Sequence, residues 1–286
     1  MIIDIRFRPP YKGYLKLHVF SDNPARRPPL LIGEELRASA VQESVKQKSV
    51  PLAIEEMRRA GITKALVIGR RAQPPFENVP NEDVLSFVRE NPGLFYAVPA
   101  LEPTDRYAAL DELEYLCVQP EVKGIHMEPG WAARPMYVDD AKLYPIYERV
   151  AKLGIPLIIS AGGTIGPDFG YVDPVHLHRV AKDFPHLKLV VGHAGWPYVL
   201  QALAVAYDCA NVHLSPDMYL NVPNTPGSLE YVRAANFYLR DRLLFGTAYP
   251  SRPLVESVEQ FHRLPFDDGV KEYVLYRNAA RVFGIQ

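Results

Sequence analysis

The sequence alternates short apolar runs of strand length with longer segments in which apolar residues recur at helical spacing. The apolar runs end at glycine, proline or polar positions, which is typical of strands buried in a parallel sheet. Eight strands are predicted, at residues 2–5, 65–69, 94–101, 122–127, 155–160, 187–192, 211–215 and 242–247. Helices are predicted at residues 51–60, 81–90, 105–117, 143–153, 174–184, 197–209 and 228–239, with two more before residue 283. This alternation predicts an α/β fold, a (β/α)8 TIM barrel, in which eight strands close the sheet.

The first connection is the exception to this regular alternation. Residues 11–48 are irregular, hold prolines at positions 24, 28 and 29, and show little periodicity. A connection of that length is usually functional or forms a lid. We therefore expect one domain, 1–286, with a long loop insertion at about 9–50 that covers or flanks the end of strand one.

Composition narrows the possible partners. The chain has 286 residues, 48% of them hydrophobic and 23% charged, and a formal net charge of −1. A nearly neutral chain gives no reason to expect nucleic acid or an anionic membrane as partner. The cysteines, Cys117 and Cys209, lie in apolar patterns that suit a reduced interior. With no basic leader and no apolar run long enough for a bilayer, we expect a cytoplasmic protein.

The chemistry of a TIM barrel is carried at the C-terminal ends of its strands, here called the rim. An apolar run brings His193 to the rim, and several other strand ends carry polar side chains. These rim candidates are Arg6, Arg8, His126, Glu128, Ser160, His193, Asp217 and Tyr249. The other histidines at positions 176, 178, 186 and 262 fall on or near outer helices, where we expect surface or packing roles.

Five segments together resemble the amidohydrolase superfamily. They are Ile3-Asp4-Ile5-Arg6-Phe7-Arg8-Pro9, Lys123-Gly124-Ile125, Gly192-His193-Ala194-Gly195, Phe245-Gly246-Thr247-Ala248-Tyr249-Pro250 and Asn278-Ala279-Ala280-Arg281-Val282-Phe283-Gly284. They occur in the family's order over essentially the whole chain. The most similar branch is the amidohydrolase-related group that includes the aminocarboxymuconate semialdehyde decarboxylase type.

The family's metal-binding pattern is largely missing from this sequence. The resemblance implies a His-x-His pair after strand one, histidines after strands five and six, and an aspartate after strand eight. Only His193 matches, because the other positions hold Arg6, Arg8, Ser160 and Ala248. A guanidinium has no lone pair to donate, and one histidine with a serine is too few for zinc. We therefore predict a site without a metal or other cofactor.

Two arginines at the rim favour a small anionic, carboxylated ligand, for which Arg6, Arg8, Ser160 and Asp217 are the predicted binding residues. The alternative for the arginines is internal pairing with Asp4, Glu128 or Asp217. His193, Glu128, His126 and Tyr249 are the predicted catalytic residues, His193 because its usual pKa lies near neutrality. Packing remains the alternative for His193 and His126, and the alternatives for Glu128 and Tyr249 are a counter-ion and a cavity wall.

These residues allow three functions. The first is a metal-independent amidohydrolase-like hydrolase that uses acid–base catalysis, for which the pyrone dicarboxylate lactonase type is a precedent in the family. That type keeps an acidic residue where Ala248 stands, so His193 or Glu128 would have to act as the base. A decarboxylase of the same family is the second possibility, and an inactive binding protein or pseudoenzyme is the third. Because two-fold dimers are the commonest assemblies, we also expect a homodimer.

Overall fold

The computed structural model describes residues 1–20, 42–74, 76–163 and 165–286. These residues form seven parallel strands: β1 Ile3–Phe7, β2 Lys64–Ile68, β3 Phe95–Val98, β4 Ile125–Met127, β5 Leu157–Ser160, β6 Leu189–Gly192 and β7 Val212–Ser215. Regular pairing gives the strand orders β1-β2-β3 and β4-β5-β6-β7. Bridges of Ala97 to Val122 and of Ala100 to His126 join β3 to β4. The predicted (β/α)8 barrel is confirmed.

The predicted eighth strand, 242–247, is an extended segment and not a regular strand. Leu243 forms a bridge with Leu214, and the backbone N–H of Ile5 donates to the Phe245 carbonyl at 3.2 Å. The Thr247 amide does not continue this ladder of backbone hydrogen bonds, because its N–H donates to the Asp4 carboxylate at 2.9 Å. The segment still closes the barrel between β7 and β1, but a buried side chain takes one of its backbone hydrogen bonds.

The α-helices form the outer layer, and the longer ones lie close to their predicted positions, whereas the short helices Glu43–Lys46 and Met218–Asn221 were not predicted. They span Glu43–Lys46, Val50–Arg59, Asn81–Glu90, Arg106–Cys117, Tyr144–Leu153, Pro174–Asp183, Val199–Asp208, Met218–Asn221, Ser228–Phe237, Leu254–Arg263, Val270–Glu272 and Asn278–Phe283. A π-helical turn, Tyr273–Arg277, joins the last two. Short 3-10 turns occupy Lys12–Lys16, His18–Phe20, Pro129–Trp131, Ala141–Leu143, Phe169–Val172 and His193–Gly195. None of the helices in these ranges has the length and apolar character needed to cross a membrane.

A small apolar cluster fills the barrel interior below the rim. Its strand residues are Ile3, Ile5, Leu66, Ile68, Val98, Ile158 and Val190, with Leu244 from the eighth segment. Val282 and Phe283 of the last helix pack against this cluster. Since the interior is closed by packed side chains at one end, a ligand has room only at the rim.

The first connection is described in part. After β1 the chain makes the turns Lys12–Lys16 and His18–Phe20, and it returns in the helix Glu43–Lys46. The Tyr14 hydroxyl donates to the Ile68 carbonyl at 3.1 Å, so the first turn packs over the end of β2. Half of the expected loop insertion, 9–50, is formed by residues 21–41, which lie outside the described residues.

Candidate active site

A cavity opens at the rim. Its lining includes Arg6, Arg8, Arg70, Trp131, His193 and Tyr219. Among the predicted site residues of the described chain, Arg6, Arg8 and His193 face this cavity, whereas Ser160 and Asp217 lie behind Arg6. The site is therefore arranged around guanidinium groups.

Arg6 is held by acceptors from three other strand ends. Its Nη1 donates to Ser160 Oγ at 3.0 Å, and its Nη2 lies 3.1 Å from His193 Nε2. Its Nε lies 3.0 Å from Asp217 Oδ2 in an ion pair between fully buried side chains. A guanidinium has only donors, so His193 must accept through Nε2 and carry its proton on Nδ1. Arg6 thus fixes both the position and the tautomer of His193.

A second histidine supports Arg6 from behind. His126 Nδ1 lies 2.9 Å from the Gly69 carbonyl oxygen, which can only accept, so Nδ1 must carry the proton. His126 Nε2 then accepts from the Ser160 hydroxyl at 2.8 Å. Burial, together with the nearby arginines, lowers the pKa of His126 to about 3. His126 is therefore a neutral positioning residue and is not among the residues that line the cavity.

Two buried aspartates complete the surroundings of Arg6. Asp217 accepts from the Ser215 hydroxyl and from the His193 N–H, the latter at 3.1 Å. Asp4 accepts from the Arg6 N–H at 3.0 Å and from the amide and hydroxyl of Thr247. Burial raises the pKa of Asp4 to about 6, although these hydrogen bonds act in the opposite direction. Arg6 is paired internally with Asp217, one of the partners considered from the sequence.

Glu128 pairs with a different arginine. Arg70 Nε and Nη2 each donate to one oxygen of Glu128 at 3.0 Å, which is a bidentate pair. Burial alone would raise the pKa of Glu128, but Arg70 lowers it to about 2. Glu128 is therefore a strongly held anion and a weak base. Arg70 lies two residues after the end of β2 and was not among the predicted site residues.

Arg8 differs from the other two arginines of the cavity. Its Nε and Nη2 are buried and have no hydrogen-bond partner within the described part of the chain. Burial, then the charges of Arg70 and Arg6, hold the pKa of Arg8 well below its usual value. A buried guanidinium with unused donors needs an anionic partner, and the open cavity can supply one.

His193 is close to charges of both signs. Burial and the charges of Arg6, Arg8 and Arg70 hold its pKa well below the usual value, so the ring is neutral. Asp217 Oδ2 lies 3.5 Å from Nδ1 on the other side of the ring. His193 also has a positive φ of 64°, as do Asp217 at 53° and Ala248 at 59°. Non-glycine residues rarely adopt this region, so tertiary contacts must hold these three strand ends in place.

Glycines leave the room that Arg6 needs. A Cβ on Gly192 would lie 2.5 Å from Arg6 Nη1, and a Cβ on Gly246 would lie 2.6 Å from Asp217 Oδ1. Both glycines are therefore required by close approach. They stand in the motifs that resemble the family, so this signal was present in the sequence but was not used to identify site residues.

The structure does not bring Tyr249 to the cavity. Its ring is fully buried and stacks on Phe7 with the ring centroids 4.8 Å apart. Its hydroxyl lies 2.7 Å from Ser44 Oγ, and Ser44 donates to Glu56. Tyr249 therefore fastens the returning first connection to the barrel. Ala248, not Tyr249, borders the cavity.

Aromatic side chains form the walls of the cavity, and two of them, Phe76 and Trp131, were not candidates from the sequence. Phe76 and Trp131 stack with ring centroids 3.6 Å apart, and the Arg70 guanidinium lies 5.3 Å from the Trp131 ring centroid. Tyr219 stacks on Trp196 at 4.5 Å and meets His193 edge-on. Phe76 lies in the connection after β2, Trp131 ends a 3-10 turn and Tyr219 lies in the short helix Met218–Asn221, so no long periodic pattern marks them.

The donor set of the cavity does not fit a divalent metal. Arg6 occupies the acceptors His193 Nε2 and Asp217 Oδ2, and neither Arg6 nor Arg8 has a lone pair. Within the described ranges, the group of His, Cys, Asp or Glu side chains close enough to share an ion is His178, Asp208 and Cys209. That group lies on outer helices, away from the cavity, and Lys182 shares the Asp208 oxygen.

The comparisons with known proteins identify the family. The amidohydrolase family model matches residues 3–285. The chain belongs to the amidohydrolase family. This confirms the resemblance seen in the sequence. A comparison with proteins of curated function gives no match.

Solved structures agree with the barrel fold. An uncharacterized TIM-barrel protein from Bordetella bronchiseptica is 37% identical over 99% of this chain and 98% of its own, with a TM-score of 0.91. A 5-carboxyvanillate decarboxylase from Sphingomonas paucimobilis is 18% identical over 100% and 99%, with a TM-score of 0.69. The same enzyme from Novosphingobium aromaticivorans, with manganese and a nitrobenzoic acid, is 16% identical over 99% and 96%, with a TM-score of 0.68. The two decarboxylases show likeness of fold alone.

Proposed function

We propose that this amidohydrolase-family protein binds a small aromatic carboxylate at Arg8 and decarboxylates it without a metal. The observation that carries the proposal is the buried guanidinium of Arg8 at the cavity, whose Nε and Nη2 have no hydrogen-bond partner among the described residues. Arg6 and Arg70 already have carboxylate partners, Asp217 and Glu128, whereas Arg8 has none among the described residues. A ligand carboxylate beside this guanidinium would offset the repulsion among the three cations.

The walls of the cavity favour a flat ring as the rest of the ligand. Phe76, Trp131 and Tyr219 offer ring faces and edges, and offset or edge-on contacts between aromatic rings are favourable. The fold neighbours named above act on carboxyvanillate, an aromatic acid. Their identity to this chain is low, so this parallel supports the choice of ligands to test and does not establish a substrate.

The arrangement of bases favours decarboxylation over hydrolysis. Hydrolysis needs a group that takes a proton from water, yet Ala248 has none and Arg70 holds the Glu128 carboxylate. Decarboxylation needs the reverse transfer: the C–C bond breaks, its electron pair stays on the ring carbon, and that carbon takes a proton while CO2 leaves. His193 is the proton carrier in this proposal: once the ligand draws Arg6 away from Nε2, that nitrogen can take a proton from water and pass it to the ring carbon. A bound anion would offset the cations beside the ring, and Asp217 would stabilise its charged form.

Hydrolysis remains the second candidate because of one specific contact. Asp217 and His193 are arranged as a carboxylate that orients an imidazole, with Oδ2 at 3.5 Å from Nδ1. If a ligand displaced Arg6 from Nε2, His193 would become a free base for water. The two candidates differ in their products, CO2 or an opened ester, lactone or amide.

Binding is tested first. Benzoate and dihydroxybenzoates are added to metal-depleted protein, and the shift in melting temperature and the dissociation constant are measured for wild type and R8M. The loss of a charge-assisted pair should weaken binding by about 30- to 100-fold. R71M is the matched control, because Arg71 is the next arginine along and pairs with Glu112. Equal binding by wild type and R8M would refute the carboxylate site.

Turnover is tested with the ligand that binds. Decarboxylation predicts CO2 release from metal-depleted protein, with H193A retaining binding but losing turnover. Release of a hydrolysis product from an ester or lactone analogue would favour the second candidate. Binding without any product would identify a binding protein, and activity that returns only with added metal would refute the metal-independent proposal.

A further inference from the structure

An apolar surface lies on two outer helices away from the cavity. It consists of Leu200, Ala204, Tyr207, Phe237 and Tyr238, here called the outer aromatic patch. Leu200 is 65% exposed, Tyr207 72%, Phe237 86% and Tyr238 42%. Isolated exposed apolar residues are ordinary, but a contiguous group this exposed marks an interaction surface.

The members of the patch are neighbours in space. Leu200, Ala204 and Tyr207 recur at helical spacing on the exposed face of Val199–Asp208. Tyr207 meets Tyr238 edge-on at a centroid distance of 5.2 Å, and Tyr238 meets Phe237 at 5.5 Å. The patch therefore continues from one helix to the end of the next and forms one surface.

We infer that the outer aromatic patch is the contact surface of a homodimer, in which Val199–Asp208 packs against the same helix of a second copy. The exposed fractions of the three aromatic residues correspond to about two whole side chains, or roughly 300–500 Å². A standard interface buries about 800 Å² per partner, somewhat more than half of it apolar. The patch can therefore supply most of the apolar area that a stable dimer requires.

Charge favours a second copy over a strongly charged partner. The charged residues beside the patch are paired within the chain, Lys182 with Asp208 at 2.8 Å and Arg240 with Asp241 at 3.2 Å. The surroundings of the patch are thus balanced and would not repel an identical surface. Ala204 is small, which lets two copies of the helix approach closely when a two-fold axis passes near it.

The test is the mass of the protein in solution. Wild type should be a dimer by light scattering at about 10 μM, and F237E and Y207E should be monomers because a charge would be buried at the contact. Y107E is the matched control, since Tyr107 is a similarly exposed tyrosine, at 66%, on another helix. Circular dichroism and melting temperature check that each variant is folded.

A cross-link tests the orientation of the two helices. A204C should form an intermolecular disulfide under mild oxidation, whereas A108C, at an exposed alanine on the helix Arg106–Cys117, should not. A monomeric wild type, a dimer that persists in both charged variants, or equal cross-linking at the two positions would overturn the inference. Carboxylate binding at Arg8 is measured in parallel, so failure of the dimer and failure of the proposed function are distinguishable.

Discussion

Replacing Asp4 with asparagine should remove a pH-dependent cost to stability. Asp4 is fully buried, and burial raises the pKa of its carboxyl group from 3.8 to about 6. Asparagine has the same shape and keeps the Oδ1 acceptor for the Arg6 and Thr247 amides. One of its new N–H groups can donate to the Thr247 hydroxyl oxygen, which reverses the bond that this hydroxyl donates to Asp4. D4N therefore removes the charge and keeps the two amide contacts.

The magnitude follows from the difference in pKa. A raised pKa in the folded state means that folding favours the protonated acid, so its stabilising contribution is complete below about pH 4 and is lost as the pH rises through about 6. A difference of about two pKa units corresponds to on the order of 3 kcal/mol at neutral pH. Between about pH 5 and pH 7.5, roughly 1.4 kcal/mol of this loss should be measurable.

The measurement is urea unfolding of wild type and D4N at several pH values in this range. The free energy of unfolding of wild type should fall with rising pH by about 1.4 kcal/mol more than that of D4N. E55Q, at an exposed helix position, controls for the loss of an ordinary carboxylate. Parallel pH profiles for wild type and D4N, with both proteins folded, would show that burial does not shift Asp4 and would refute this reasoning.

Three further predictions concern the cavity. R6A leaves three acceptors facing the vacated space, so millimolar guanidinium should raise its melting temperature but not that of wild type. An equal effect of guanidinium on both proteins would contradict this. R70M should lower the free energy of unfolding by about 3–5 kcal/mol, because it leaves the buried Glu128 carboxylate without its partner. The loss should be smaller when Glu128 is also changed to glutamine, and a double-mutant cycle in urea measures the difference. G163A should lower the melting temperature more than G154A, because both have a φ of 68° but only the Cβ at position 163 would meet Tyr219.

Most of the barrel could be predicted from the sequence because its strands are apolar on both faces and its helices are periodic. The segment at 242–247 was predicted as a strand for the same reason. Its apolar residues are buried as expected, but Asp4 takes the Thr247 amide, a contact between residues far apart in sequence. Local sequence patterns carry no information about a hydrogen-bond partner so far away in sequence. A regular strand was therefore expected where the structure has an interrupted ladder of backbone hydrogen bonds.

The candidate site could be predicted only in part. The change from histidine to arginine at positions 6 and 8 pointed to anion chemistry, and both arginines face the cavity. Their different surroundings depend on residues far away in sequence and could not be predicted. Arg6 pairs with Asp217, whereas Arg8 Nε and Nη2 have no hydrogen-bond partner among the described residues. Tyr249 was a catalytic candidate because of its place after strand eight, but a side chain at a strand end can point away from the cavity.

The two ion pairs of the cavity join the chain over very different distances. Arg70 and Glu128 come from β2 and the end of β4, so their pair can form once half of the barrel is present. Arg6 lies in the first strand and Asp217 beyond the seventh, so their contact requires nearly the whole circle to be complete. A partly folded barrel would therefore contain an uncompensated arginine at its open edge. The charges of Arg6 and Asp217 compensate each other only after the ring of strands has closed.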